Sequence, residues 1–306
     1  MNQLFFRLLS GSATYALSPF SLIMRSIKNN VTILIALVSL LTSSSLLAQA
    51  PSNEESVSSS SDSQSLNVIV TTSLNNKHQL QLSYPAPVRI EQVLSDSIAN
   101  IKQLTLSNEQ AQSTTTVTAT GSIFWTSAAL FKYFPHSQKQ YVIGQLELLA
   151  AHWKGDKRQA VLNLVAQLQQ LQIGQRIFTS LDYDQIRVNS AQNPLVSQGM
   201  TLVLPPRPST LLVTGAVLQT KWVTWQERFD AESYLEQVVS ISSSDNNEAW
   251  IIQPDGKVEQ HPIAYWNQNH LDIAPGAAIY LGFSSLPSEF STINEDIVNL
   301  LRNRAP

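Results

Sequence analysis

The chain contains no cysteine among its 306 residues. Disulfides, thiolate zinc sites, a cysteine nucleophile and a lipid anchor on cysteine are therefore excluded, and the fold must be stabilised by hydrophobic burial. Charged residues make up only 13% of the chain, and the formal net charge is −3. Nucleic-acid binding needs a basic surface that collects phosphates, so we expect no nucleic-acid partner.

Short catalytic and cofactor motifs are missing as well. The sequence has no G-x-S-x-G, no phosphate-binding loop and no dinucleotide fingerprint, and no two of its histidines have the i, i+2 or i, i+4 spacing of metal ligands. These absences predict no catalytic residue, no metal, no cofactor and no enzymatic activity. One alternative stays open, since Asp182 and Asp184 could serve as a glycosidase carboxylate pair, although their spacing also suits a turn or a strand end. The five histidines are His78, His136, His152, His261 and His270.

Residues 25–50 have the pattern of a cleavable secretory signal peptide. Basic Arg25 and Lys28 precede an apolar run at 31–41, and Ala48-Gln49-Ala50 supplies the small-residue cleavage site. The run is shorter than the roughly 20 apolar residues of a membrane-spanning helix, so we expect no transmembrane segment in the mature chain. The sequence thus predicts export to the periplasm of a Gram-negative cell.

The segments on either side of this cleavage site carry no predicted fold. Residues 1–50 form the leader and signal peptide, and translation could start at Met1 or at Met24. Residues 51–65 are rich in serine and almost free of apolar side chains, which predicts a disordered tether.

A first domain is predicted over residues 66–207. Alternating apolar residues indicate strands at 66–70 and 79–82, and the spacing after Val93 indicates a helix. An antiparallel helical hairpin at about 138–173 interrupts the domain. Its second helix is predicted to begin with a capping box of Asp156 and Gln159. Strand patterns follow the hairpin at 175–179, 186–188 and 201–204.

A second domain is predicted over residues 208–286 with the same opening order of two strands and a helix. Asp255-Gly256 separates two alternating runs and predicts a hairpin with a type I′ turn. A third run, residues 277–283, follows Pro275-Gly276. We interpret the two domains as a divergent duplication of one α+β unit.

Residues 287–306 are predicted to form an amphipathic C-terminal helix. Thr292 and Glu295 have the spacing of a capping box. The apolar stripe could pack on the parent domain or bind a partner, and both interpretations stay open. The stripe, our candidate partner-binding surface, consists of Phe290, Ile293, Ile297, Leu300 and Leu301.

Aromatic side chains are the candidate glycan contacts, because flat rings suit the apolar faces of sugars. Among the six tryptophans and eight tyrosines, the positions near the predicted hairpin are the best candidates. They are Trp222, Trp225, Tyr265 and Trp266.

Longer strings of residues resemble a known family. Val213–Val217 and Ile273–Ile279 resemble the β-grasp (ubiquitin-like) domains of SLBB type in outer-membrane polysaccharide exporters. His261–Asn267 and Leu300–Arg304, together with Leu281-Gly282-Phe283, resemble the GfcC/YjbG family of periplasmic capsule-biosynthesis proteins.

This resemblance implies two β-grasp domains and a non-catalytic accessory role in assembling or exporting a capsule or exopolysaccharide. The implied partners are an outer-membrane polysaccharide exporter or other capsule-operon proteins, and the polysaccharide itself. The alternatives are a periplasmic carbohydrate-binding module and, less favoured, a glycan-processing enzyme.

Overall fold

The computed structural model describes residues 65–75, 79–105, 123–135, 137–267 and 269–306. The predicted signal peptide, the tether up to residue 64, His78 and His136 lie outside the described residues. In chain order the elements are β1 (Leu66–Thr71), β2 (Leu80–Tyr84), α1 (Ile90–Thr105), β3 (Ala129–Phe131), α2 (Ser137–His152), α3 (Gly155–Gln170), β4 (Arg176–Ile177), α4 (Tyr183–Val188), β5 (Thr201–Val203), β6 (Thr210–Gly215), β7 (Lys221–Thr224), α5 (Ala231–Leu235), β8 (Glu248–Ile252), β9 (Val258–Pro262), β10 (Ala278–Leu281) and α6 (Ile293–Arg302).

The first five strands form one mixed sheet in the order β2-β1-β5-β3-β4. Strand β1 is antiparallel to β2 and parallel to β5, and β3 is antiparallel to β5 and β4. Helix α1 supplies the crossover between strands that a parallel pair requires. Its residues Ile90, Val93 and Leu94 are completely buried in one cluster with Val68 and Val70 of β1.

The second five strands repeat this topology. Their order is β7-β6-β10-β8-β9, with β6 and β10 parallel and every other pair antiparallel. Counted from the start of its own sheet, each order reads second, first, fifth, third, fourth, and the parallel pair has the same place in both. This is the β-grasp arrangement, so the predicted α+β fold with two β-grasp domains is confirmed.

The helical hairpin of α2 and α3 is inserted between β3 and β4 of the first sheet, as predicted. Its buried side chains nevertheless belong to the core of the second domain. Leu146 and Leu149 of α2 and Leu164 of α3 share one apolar cluster with Leu212 and Ile279 of the second sheet. The hairpin therefore belongs to the first domain by sequence and to the second by packing.

Helix α6 packs against α2 and β8. Every member of the predicted partner-binding stripe is buried, with no side chain more than 5% exposed. This burial corrects the partner-facing interpretation, because the stripe lies inside the core and offers no surface to a partner. The buried residues are Phe290, Ile293, Ile297, Leu300 and Leu301.

The chain after α6 connects the two domains. The backbone N–H of Ala305 donates to the carbonyl of Gln172 at 2.8 Å, and that of Gly174 donates to the carbonyl of Asn303 at 3.0 Å. The Arg304 guanidinium donates to the Gly276 carbonyl at 2.7 Å. The last residues are thus bonded both to the segment that leads into β4 and to the second sheet.

One predicted strand is a helix in the structure. Residues 186–188 lie in α4, which begins after Asp182 because its Oδ1 accepts the backbone N–H groups of Asp184 and Gln185 at 3.0 and 3.3 Å. An aspartate at this position is a strong N-cap, and it outweighs the alternating pattern. The prediction at 175–179 holds for the two residues of β4.

Both predicted capping boxes are wrong. Helix α3 follows Lys154, whose side chain forms no cap, so Asp156 lies inside the first turn. Thr292 precedes α6 but its Oγ1 donates to Asp296 at 3.0 Å instead of accepting a backbone N–H. Within the described ranges, none of the helices combines the length and apolar character needed to span a membrane.

Candidate functional site

A cleft lies between the two β-grasp domains. One wall is formed by Trp125, Thr126, Arg176 and residues 178–182 of the first domain, and the other by residues 255–257 and Arg302 of the second. Its volume is about 500 Å³. A second cavity of about 560 Å³ shares Thr126, Asp255 and Lys257 with it and continues toward Trp225. Cavities of this size are typical of small-molecule sites.

The β8–β9 hairpin forms one edge of the cleft, and its turn differs from the predicted type I′. The backbone N–H of Gly256 donates to the Gln253 carbonyl at 2.9 Å, and only Gly256 in the turn has a positive φ, of 88°. Pro254 occupies the first central position, where its fixed φ favours a type I turn followed by a left-handed glycine. The predicted hairpin is confirmed, but Asp255 keeps a negative φ.

Gly256 also permits close contact between the domains. A Cβ at this position would lie 2.5 Å from Cε1 of Phe178, which belongs to the first domain. The hairpin turn is therefore pressed against this ring, and no larger residue would fit without moving it. Both residues of this contact line the cleft.

Phe178 is flanked by two arginines. The Arg302 guanidinium lies 4.2 Å from the centroid of its ring, and the Arg176 guanidinium lies 6.0 Å from it. The Phe178 side chain remains 47% exposed, facing the cleft that it lines. Cation–π attraction of this kind holds guanidinium groups against an aromatic face.

Positive charge is concentrated at this point of the molecule. Burial lowers the pKa of Arg176 to about 10, although nearby Asp255 raises it and Arg302 lowers it further. Burial, together with the charge of Arg176, lowers the pKa of Arg304 to about 9. Both groups remain protonated at neutral pH, and of the two only Arg176 lines the cleft, where Arg302 and Lys257 add positive charge and Asp182 and Asp255 add negative charge.

The adjoining cavity contains carboxylates that are already engaged. Lys257 Nζ lies 2.6 Å from Oε1 of Glu259, and Gln253 Nε2 donates to Oε2 at 2.8 Å. Burial raises the pKa of Glu259, but the hydrogen bonds from Gln253, Lys257 and His261 outweigh it and lower the pKa to about 2. Glu259 is therefore ionised at any physiological pH.

The structure does not bring the four predicted glycan contacts into one site. Trp225 lines the cavity next to the cleft, where its Nε1 donates to the Ile273 carbonyl at 2.8 Å and Arg207 lies 5.2 Å from its ring. Trp222 lines a separate cavity of about 290 Å³ beside the prolines that connect the domains. Tyr265 and Trp266 lie on a turn beyond β9, 88% and 75% exposed.

The histidines and acidic residues form pairs. His261 Nε2 lies 3.3 Å from Glu259, His270 Nε2 lies 3.2 Å from Asp272, and His152 Nε2 lies 3.0 Å from Glu289. Across the part of the chain that the structure describes, no three His, Asp or Glu side chains are grouped as metal ligands would be.

Phe178, Arg176 and Arg302 were not among the predicted site residues. In the sequence, Arg302 stands out only as part of the family-like string Leu300–Arg304, and Phe178 only as part of the strand pattern at 175–179. The signal that could have found them is their type, since two arginines and an exposed phenylalanine suit an anionic, partly apolar ligand. Their proximity depends on tertiary packing over more than a hundred residues of chain.

Each of the two domains matches a family of known proteins. The family described as capsule biosynthesis GfcC, N-terminal, matches residues 67–207, and the one described as capsule biosynthesis GfcC C-terminal matches residues 219–306. Uncharacterized protein YjbG of Escherichia coli (strain K12) is 33% identical over 171 residues, which cover 55% of this chain and 70% of that protein.

Proposed function

The chain belongs to the GfcC/YjbG family of capsule biosynthesis, and we propose that it serves capsule assembly as a non-catalytic accessory protein of the periplasm. It would act through contacts with other capsule proteins or with the polysaccharide. The predicted signal peptide supports the periplasmic location. The partners we propose are an outer-membrane polysaccharide exporter or other capsule-operon proteins.

The observation that carries this proposal is the preformed cleft between the domains. The helical hairpin of the first domain is built into the core of the second, and the last residues of the chain are bonded to both domains. Two domains joined in this way cannot rotate freely, so the cleft walls keep their spacing. A rigid, partly apolar cleft lined by two arginines favours recognition of a partner, because little ordering is needed on binding.

The state of three carboxylates around the cleft, those of Asp182, Asp255 and Glu259, favours recognition over hydrolysis. A glycosidase needs a carboxylic acid that stays protonated near neutral pH, which requires a raised pKa. The pKa of Glu259 is instead lowered to about 2. Asp182 accepts two backbone N–H groups as the cap of α4, and Asp255 accepts the backbone N–H of Lys257 at 2.8 Å. These three acids are fixed in structural roles.

Gene deletion followed by complementation tests the proposal. We expect a deletion strain to lose surface capsule, measured by uronic-acid or sugar assay of the cell surface, and the intact gene to restore it. A photoreactive amino acid at Thr179 in the cleft should cross-link a capsule export protein, whereas one at Gln159 on the exposed side of α3 should not. Unchanged capsule in the deletion strain would refute the proposed role.

A second experiment separates the accessory role from the enzymatic alternative. We expect no new reducing ends when the purified protein is incubated with the polysaccharide of its own host. Release of reducing ends that is lost in Glu259→Gln would overturn the non-catalytic proposal and support a glycan-processing enzyme.

The exposed pair Tyr265 and Trp266 favours a carbohydrate-binding module as the second candidate function. The turn that carries it is fixed, because Asn267 Oδ1 accepts the Ala264 N–H at 3.0 Å and Asn267 Nδ2 donates to the Asn247 carbonyl at 3.1 Å. Rigid, exposed rings are suited to stacking on sugars. If this candidate is right, Trp266→Ser should abolish retention on immobilised host polysaccharide while Trp222→Ser leaves retention unchanged.

A further inference from the structure

The Arg302 guanidinium has no hydrogen-bond acceptor among the residues that the structure describes. Its Nε is fully buried without a partner, and within the described ranges no oxygen accepts a hydrogen bond from its guanidinium and no carboxylate lies within 4.0 Å of it. A guanidinium offers five N–H donors in a planar fork, and leaving a buried donor unpaired is unfavourable. The partly exposed Arg302 side chain therefore has N–H donors that no described residue engages.

This guanidinium is held in place in spite of its missing acceptors. Arg302 lies in the last turn of α6, next to the completely buried Leu300 and Leu301. Its guanidinium stacks on the Phe178 ring at 4.2 Å, on the wall of the cleft. The donor fork is thus pre-positioned by the core of the second domain and by a ring from the first.

None of the described carboxylates that line the cleft forms an ion pair with Arg302. Asp182 and Asp255 accept backbone N–H groups, and Lys257 is paired with Glu259 at 2.6 Å. The Arg176 guanidinium lies 6.0 Å from the centroid of the Phe178 ring, adds a second positive charge and donates to the Ala128 carbonyl at 3.2 Å. The Arg302 guanidinium is therefore available to an anionic ligand, and the forked geometry of arginine matches a carboxylate.

The rest of the lining indicates a sugar and not a bare anion. Trp125, Phe178 and Leu181 provide apolar surface, and Thr126, Thr179 and Ser180 provide hydroxyl groups. A volume of about 500 Å³ leaves room for more than a small inorganic ion. Hydroxyl groups beside an aromatic ring suit the alternating polar and apolar surface of a pyranose.

We propose that Arg302, supported by Phe178 and Arg176, binds the carboxylate of an acidic sugar of the uronic-acid type. The choice of a sugar as the bearer of this carboxylate rests on the proposed role in capsule assembly. Arg302 would form a forked pair with the carboxylate, Arg176 would add positive potential, and the sugar ring would lie along the exposed part of Phe178.

Isothermal titration calorimetry of the full purified protein at low salt tests this site, with tetragalacturonate as the probe and maltotetraose as its neutral counterpart. We expect binding of tetragalacturonate alone. Arg302→Gln should weaken it about tenfold or more, the usual loss when a charge-assisted bond is removed. Arg158→Gln, which removes an equal charge from the exposed side of α3, should change the affinity less than about twofold. Arg302→Lys keeps the charge without the fork and should fall between the wild type and Arg302→Gln.

Several outcomes would overturn the proposal. They are no heat with tetragalacturonate for the wild type, equal affinity for maltotetraose, or equal affinity for sodium sulfate with the same dependence on Arg302. Thermal melts of each variant show whether it is folded, and a folded Arg302→Lys with unchanged affinity counts against the forked pair. Loss of capsule on gene deletion without any uronate binding would overturn this inference and leave the proposed function standing.

Discussion

The two β-grasp domains share one strand order, but the helices that pack on their sheets come from different parts of the chain. In the first domain, α1 has 16 residues and packs on the sheet of its own domain. In the second, the corresponding helix α5 has only 5 residues. The second sheet is covered by α2 and α3 from the first domain and by α6 from the C-terminal segment. The same topology can therefore be completed by helices from three separate parts of the sequence.

This difference makes the second domain dependent on elements outside its own strands. All four residues of β10 are buried, and so are five of the six residues of β6, so both faces of these central strands are covered. Without the hairpin and α6, one face would be exposed to water. We therefore expect the second sheet, α2, α3 and α6 to unfold as one cooperative unit.

Deleting residues 290–306 should have the largest effect on stability. If the second domain stayed folded without them, it would not depend on α6 in the way that distinguishes it from the first domain. The deletion removes at least five fully apolar core side chains, each contributing about 1.5–3 kcal/mol, against a typical total stability of about 5–15 kcal/mol. We expect the second sheet to unfold. Hydrogen exchange read by mass spectrometry should show lost protection in β6–β10.

The matched control for this deletion is removal of residues 51–64, which precede the first strand. We expect protection of both sheets to be unchanged in that variant. A 290–306 deletion that keeps native protection in β6–β10 would show that α6 is an appendage and that the second domain is complete without it.

A pair of leucine substitutions should have the next largest effect on stability. It should also show which of the two domains the helical hairpin stabilises. Leu94 of α1 and Leu164 of α3 are both completely buried. Each change to alanine should cost about 2–5 kcal/mol of the free energy of unfolding, measured by urea denaturation. Leu94→Ala should weaken exchange protection in β1–β5, and Leu164→Ala in β6–β10. If Leu164→Ala weakened only β1–β5, the hairpin would belong to the first domain by packing as well.

Local patterns in the sequence predicted the elements well where one face is buried. The alternation in β8 and β9 and the spacing of apolar residues in α2, α3 and α6 identified those elements, because period depends only on which side chains face the core. Two local features departed from these patterns. Residues 186–188 alternate like a strand, but the Asp182 cap starts a helix there, and Pro254 selects a different turn from the one that Asp-Gly alone predicts.

The site was not predictable in the same way. An amphipathic stripe on α6 shows that one face must be covered, but it does not show by what, and here α2 and β8 cover it. The cleft likewise depends on how Phe178 meets Gly256 and Arg302 across the domain boundary. No local pattern encodes a contact between residues so far apart, so neither the cleft nor its arginines followed from the sequence.

Gly215→Ala should lower the stability of the second sheet, by less than the leucine substitutions. Gly215 has a φ of 103°, and a Cβ there would lie 2.1 Å from the Leu281 carbonyl oxygen across the parallel pair. Strain in this backbone region costs about 1–3 kcal/mol, and the clash adds to it, so we expect a loss of stability of at least that size in urea denaturation. The control is Gly144→Ala in α2, where no atom lies within 4 Å of the new Cβ. That change should raise stability by about 0.5–1 kcal/mol, and equal effects at both positions would contradict the strained β6–β10 pairing.

Acidification should have the smallest effect and should act on the second sheet first. His261 of β9 is buried beside Glu259, Asp230 and His270, while the described strands of the first sheet contain no histidine. Burial lowers the pKa of His261, although the hydrogen bond with Glu259 opposes this shift. The unfolded chain then binds the proton more readily, so stability should fall as the pH drops below about 6.5 toward the folded pKa.

Thermal melts between about pH 7.5 and pH 5 isolate this effect, because Glu259, with a folded pKa of about 2, loses its contribution only as the pH falls below its ordinary value of 4.5. His261→Gln should flatten the pH dependence over this range. If the melts of the wild type and His261→Gln varied with pH in parallel, protonation of His261 would not be coupled to folding. The greater sensitivity of the second domain to acid would then have to come from its carboxylates, and it would begin only below about pH 4.5.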